Sequence, residues 1–165
     1  MQRKTAMKDK RNDLLVIIPA FNEEENICQV VTNLIEKYPQ YDYVIINDGS
    51  MDRTSEIAHS LGYEIIDLPI NLGLAGAFQT GMRYADRKKY KYAIQLDADG
   101  QHLPEYIAPM LEKIQEGYDL VISSRFVTEK KPHSLRMIGS RLIAVATRLT
   151  TGKKVKDPTS GMRMF

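Results

Sequence analysis

LLVIIPA, residues 14–20, is an apolar run closed by proline and alanine. A strand with one wet face alternates polar and apolar residues. An unbroken run of this length reads instead as a strand buried on both faces, as in a parallel sheet covered by helices. The chain turns polar at once, with FNEEEN at 21–26. From Glu23 to Tyr38 the apolar residues Ile27, Val30, Val31, Leu34 and Ile35 recur at helical spacing, and Pro39 closes that helix. The pattern then repeats. YDYVIIN (41–47), YEIIDL (63–68), YKYAIQLD (90–97) and YDLVISS (118–124) read as further strands. Helices are predicted over Asp52–Leu61, Leu72–Arg87, Pro104–Glu116 and Leu135–Thr150, the polar segment 127–134 being a loop. Strands alternating with helices imply an α/β fold with a largely parallel sheet.

That topology makes the loops informative. Ligands of open parallel sheets bind outside the carboxyl ends of the strands. PAFNEEEN, NDGSMD and DADGQH each follow a strand directly, so all three are expected on one rim. Three acidic clusters on one rim are hard to explain as stability features, and they read as a site.

Asp97 and Asp99 flank Ala98 in QLDADGQ. In extended chain both would point towards one ligand. Two close carboxylates are unfavourable unless a cation or hydrogen-bond donors neutralise them. Mg²⁺ and Mn²⁺ prefer oxygen ligands and often combine one or two carboxylates with substrate phosphates. Gln101 continues the spacing as a further oxygen ligand, with His102 a less regular one. An EF-hand is excluded, because its loop would need glycine at His102 and glutamate at Ala108. A plain D-G turn is the alternative.

Asp48 in NDGS suits the N–H groups of a base or the hydroxyls of a ribose, although a turn leading to a helix capped by Asp52 explains the same residues. Asn71, Gly73 and Gly76 form an N-x-G-x-x-G that only loosely resembles a phosphate loop. Arg125 follows the fifth strand, and Arg136 and Ser140 share a helical face; arginine suits bidentate phosphate binding. Asp157 in KDPTSGMR is either a turn aspartate or a general base facing the rim. His59, His133, Arg141 and Arg148 read as surface residues.

Composition bounds the rest. The chain has 165 residues, enough for one domain with a substantial core, and a net charge of +2, too small to argue for nucleic acid. Residues 1–12 are a basic, solvated tail with no apolar stretch of the kind a secretory signal has. Residues 13–165 form the domain. It ends at SGMRMF without a stop signal and is expected to be truncated there. The single cysteine, Cys28, reads as a packing residue and fits a reducing compartment. No apolar run approaches the ~20 residues of a membrane helix.

In order and spacing, VIIPAFNEEENI, VIINDGSMDRT, NLGLAGAFQTGMRYA, IQLDADGQHLPEYI, VISSRF and KDPTSGMR resemble the inverting glycosyltransferases of family 2, which have the GT-A fold, a Rossmann-like three-layer sandwich. DADGQH and D-P-x-S-G-x-R point to the polyprenyl-phosphate sugar synthases. The resemblance implies that Pro19, Phe21, Glu23 and Asp48, with Gly76, Asp97 and Ala98, hold a nucleotide sugar linked to UDP or GDP. It implies Mg²⁺ or Mn²⁺ on Asp97, Asp99 and Gln101. Arg125, Arg136 and Ser140 would contact phosphate, and Asp157, Asp99 and Arg125 would carry catalysis. The implied acceptor is a polyprenyl phosphate or a glycan, at the cytoplasmic face of the membrane. Phe21 replaces a tyrosine frequent in the family, and Asn47 replaces an aspartate. A homo-oligomer stays open.

The leaving diphosphate needs its growing charge stabilised, which a metal and arginines do. A hydroxyl acceptor needs a base, for which Asp157 is the candidate; a phosphate acceptor does not. The rival readings are a nucleotidyltransferase, disfavoured by the acidic residues after the first strand, and a non-catalytic binding module. A dehydrogenase is the least favoured reading, because no dinucleotide fingerprint opens the first helix.

Overall fold

β1 (Leu14–Ala20) is buried at all seven positions and divides the core by its period of two. Leu14, Val16, Ile18 and Ala20 join a cluster with Ile27, Val31 and Leu34 of α1 (Ile27–Lys37) and Ile107, Met110 and Ile114 of α4 (Ile107–Gln115). Leu15 and Ile17 join another with Val44 and Ile46 of β2 (Asp42–Asn47) and Ala77 and Ala85 of α3 (Gly73–Arg87). Each fully buried Leu or Ile contributes roughly 1.5–3 kcal/mol relative to exposure. Helices therefore cover both faces of the sheet, as the unbroken apolar run requires. These relationships come from a computed structural model, which describes residues 13–100, 103–123, 148–150, 152 and 161–165.

With α2 (Thr54–Ser60), β3 (Ile65–Asp67), β4 (Tyr92–Gln95), β5 (Val121–Ile122) and β6 (Arg163–Met164), the sheet has six strands in the order β3-β2-β1-β4-β6-β5. β1 pairs in parallel with β2 and β4, and β2 with β3. β6 runs antiparallel between β4 and β5, through Ile94↔Met164 and Val121↔Met164. The fold is the expected α/β three-layer arrangement with a mostly parallel sheet. The sequence reading predicted no strand at β6.

Several elements are shorter than expected, for identifiable reasons. α1 starts at Ile27 rather than Glu23, with residues 24–26 forming a turn before it, and Glu23 N–H donates to Thr54 Oγ1 at 2.8 Å. β4 stops at Gln95, opposite Ile17, and Ala98–Asp99 form a turn. Ala98 and Asp99 are thus not in extended chain. Cys28 is exposed rather than packed, since the buried stripe of α1 is Ile27, Val31 and Leu34.

α3 carries Gly81 where it lies very close to the sheet. A Cβ on Gly81 would collide with the Ile17 side chain, and Ala77 and Ala85 continue the same narrow face. The basic tail, the loop 127–134, and most of the helix expected over 135–150 lie outside the described residues; Arg148–Thr150 are helical. Among the described residues, no helix is long and apolar enough to cross a membrane.

Candidate active site

The loops after β1 and β2 are laced together. Asn22 N–H donates to Ser50 Oγ (3.0 Å), and Met51 N–H returns to Asn22 Oδ1 (2.9 Å). Glu24 N–H donates to Asp52 Oδ2 (3.1 Å), and Arg53 N–H returns to Glu24 Oε2 (3.0 Å). Asn22 takes φ 55°, a left-handed conformation that asparagine tolerates better than most residues. Asp52 also accepts the Thr54 N–H at 3.0 Å, but it stands one residue before Arg53, which is the N-cap of α2 and makes no side-chain cap bond. Burial acts to raise the Asp52 pKa, but the hydrogen bonds from the Thr54 hydroxyl and from the Thr54 and Glu24 backbone outweigh it and hold the carboxyl below its ordinary range. Glu24 and Asp52 therefore tie the two loops together, a structural role within the acidic clusters of this rim.

The end of β2 is fixed sideways. Asn47 Nδ2 donates to Asp67 Oδ1 at 2.7 Å, and Asn47 Oδ1 accepts Ser50 N–H at 3.2 Å. Asp67 also accepts from Ser55 Oγ (2.8 Å) and pairs with His59 Nε2 (2.7 Å). Burial opposes ionisation of Asp67, but the bonds from Asn47, His59 and Ser55 prevail and lower its pKa. His59, read as a plain surface residue, is exposed but has this partner.

Between Asn47 and Ser50 the chain turns through Gly49 at φ +68°, where a Cβ would sit 2.8 Å from Asn71 N. This close approach brings the segment after β3 onto the turn. Leu72 N–H donates to Oδ1 of Asp48 at 2.7 Å, and Asp48 is only 3% exposed.

Three strand ends and the start of α3 enclose a cavity of about 440 Å³. Pro19, Phe21 and Glu23 line it from the first loop, Asp48 from the second, Asp97, Ala98 and Asp99 from the loop after β4. Asn71, Gly73, Leu74, Ala77 and Ala20 complete the lining. Phe21 is 45% exposed, so much of its ring is open to contact. Gly76 is not in this lining. It sits within α3, where a Cβ would meet Leu72, and Gly73 stands at the cavity instead.

Asp97 is half-buried and accepts a 2.6 Å hydrogen bond from Gln95 Nε2, while Asp99 is exposed. Although Ala98–Asp99 is a turn, both carboxylates line one cavity. Two hard oxygen ligands beside space for a phosphate are the donor set that Mg²⁺ and Mn²⁺ use, so these residues fit the implied ion. No group of three or more His, Cys, Asp and Glu is assembled for a metal among the described residues. Gln101, Arg125, Arg136, Ser140 and Asp157 lie outside the described residues. Sequence reasoning passed over Gln95. Its signal was available: a lone amide in an aliphatic strand, two positions before Asp97.

The Glycosyl transferase family 2 model matches residues 15–165. The chain belongs to that family. This family 2 chain is 31% identical over 160 residues to the polyprenol monophosphomannose synthase of Mycolicibacterium smegmatis, covering 92% of this chain and 60% of the relative. It is 32% identical over 161 residues to the undecaprenyl-phosphate mannosyltransferase of Micrococcus luteus, covering 92% of this chain and 65% of that one. The chain thus spans less than two thirds of the length of these relatives. A crystal structure of glucosyl-3-phosphoglycerate synthase from Mycobacterium tuberculosis in complex with Mn²⁺, UDP and phosphoglyceric acid matches with a TM-score of 0.69 at 22% identity, covering 92% of this chain and 54% of that one. That likeness is one of fold, and the fold is GT-A.

Proposed function

We propose that this chain binds a nucleotide-diphosphate sugar, UDP- or GDP-linked, and transfers the sugar with inversion to a polyprenyl phosphate or glycan acceptor at the cytoplasmic face of the membrane, in the synthesis of envelope polysaccharide or glycolipid. The observation that carries this reading is the single cavity onto which Phe21, Glu23, Asp48, Asp97 and Asp99 converge from three strand ends. The names of the two mannosyl-transferring relatives support a polyprenyl-phosphate acceptor.

Each residue has a role its chemistry suits. Phe21 offers a face for the base, beside Pro19, while Glu23 and Asp48 accept hydrogen bonds from base N–H groups or ribose hydroxyls. Asp97 and Asp99, with Gln101, would hold Mg²⁺ or Mn²⁺, which when bound screens the charge of the leaving diphosphate. Arg125, Arg136 and Ser140 would hold phosphate, of the donor or of a lipid acceptor. Asp157 would take the proton of a hydroxyl acceptor; towards a phosphate, largely ionised at neutral pH, it would orient rather than deprotonate.

Titration calorimetry with UDP and GDP, with and without Mn²⁺, tests the reading. Binding strengthened by Mn²⁺ in the wild type, with the strengthening lost in Asp99→Ala, is the expected result. Failure of every nucleoside diphosphate to bind would sink it.

A further inference from the structure

Gln95 is the last residue of β4, 5% exposed in a strand of aliphatic and aromatic neighbours. An amide buried there is unfavourable unless it is hydrogen-bonded. Its bond goes from Nε2 to Oδ1 of Asp97, at 2.6 Å. A carboxylate can only accept, so the amide must present its nitrogen to Asp97. The backbone fixes both partners. Gln95 is still in register with Ile17, and the next N–H, that of Leu96, donates to Ile17 O at 2.9 Å. Asp97 follows as the strand ends, bonded by the side chain of a residue whose backbone belongs to the sheet.

Gln95 does not line the cavity that Asp97 and Asp99 share. It lines a second one, of about 440 Å³, with Phe78, Gly161, Arg163 and Phe165. Its influence on the first cavity therefore runs through Asp97. The donor is also neutral. A lysine or arginine in its place would add a positive charge beside the carboxylate, in competition with a cation; an amide donor adds none.

We infer that Gln95 is a positioning residue: it sets the orientation of Asp97 in advance, so that the carboxylate receives a divalent cation carrying the diphosphate. The inference rests on the proposed nucleotide-sugar reading. Hydrogen-bond partners standing behind metal-binding carboxylates typically change metal affinity by roughly 10–100-fold when removed.

The test compares wild type with Gln95→Leu and Gln95→Met, both of similar volume and without the donor. UDP affinity is measured by calorimetry with and without Mn²⁺, Mn²⁺ binding by the loss of the free-ion paramagnetic resonance signal, and folding by circular dichroism. The expected result is a loss of roughly 10–100-fold in Mn²⁺ affinity and in the Mn²⁺-dependent gain in UDP affinity, while metal-free UDP binding and the folded spectrum are kept. Wild-type Mn²⁺ dependence in either folded variant overturns the inference alone. So does an equal loss of metal-free UDP binding, which would mark a general packing role. Absence of Mn²⁺ dependence in the wild type overturns both this inference and the metal-dependent reading beneath it.

Discussion

Asn47 at the end of β2 donates to Asp67 at the end of β3 across 2.7 Å, while its own oxygen receives the Ser50 N–H at 3.2 Å. One amide thus joins two strand ends to the turn that carries Asp48. Only an amide does both, since it has a donor on one side and an acceptor on the other.

Asn47→Asp sets a carboxylate against Asp67 and is expected to destabilise the fold by about 1–3 kcal/mol, read by urea denaturation at neutral pH. Adding Asp67→Asn exchanges donor and acceptor, and should restore most of the loss. A double variant no more stable than Asn47→Asp would show that the two residues are not coupled.

Asp52 and Asp67 predict part of the acid limb of stability. Hydrogen bonds hold both carboxyls below the ordinary range despite opposing burial. A depressed folded-state pKa contributes stability that is fully present above the unfolded value, about 3.9, and is lost as pH falls through the lower folded value. Both groups are largely solvated, so the effect is small and sensitive to salt. Asp52→Asn and Asp67→Asn should each lose less stability than wild type between about pH 5 and about pH 2, in denaturation curves at stepped pH. Slopes equal to the wild type's would contradict this.

Gly49 is held at φ +68°, with Asn71 N 2.8 Å from where a Cβ would stand. Gly49→Ala is expected to cost about 1–3 kcal/mol through backbone strain and to weaken UDP binding, because it pushes Asn71 away from the turn beside Asp48. Stability and affinity both unchanged would show that this close approach is dispensable.

What was legible in the sequence follows how local each signal is. The unbroken run at 14–20 announced a strand covered on both faces, and the alternating core of β1 follows from it. β6 was not legible. It is two residues long and exists through antiparallel pairing with β4 and β5, distant in the chain, so Arg163 and Met164 carry little local signature. Residue type alone also could not separate the acidic residues of the rim by role. Glu24 and Asp52 accept backbone N–H groups from each other's loops, whereas Glu23, Asp48, Asp97 and Asp99 line the cavity. That distinction depends on two loops meeting across the sheet edge. The D-A-D motif was found by its spacing, but its geometry was misjudged, because β4 ends at Gln95 and the chain turns at Ala98–Asp99.

The most direct measurement of the central claim is a crystal structure of this chain soaked with UDP and Mn²⁺. The account predicts the base against Phe21 and Asp48, and the diphosphate with its ion at Asp97 and Asp99. Nucleotide bound elsewhere, as in the cavity beside Phe78 and Phe165, or an ion that avoids both carboxylates, would contradict it.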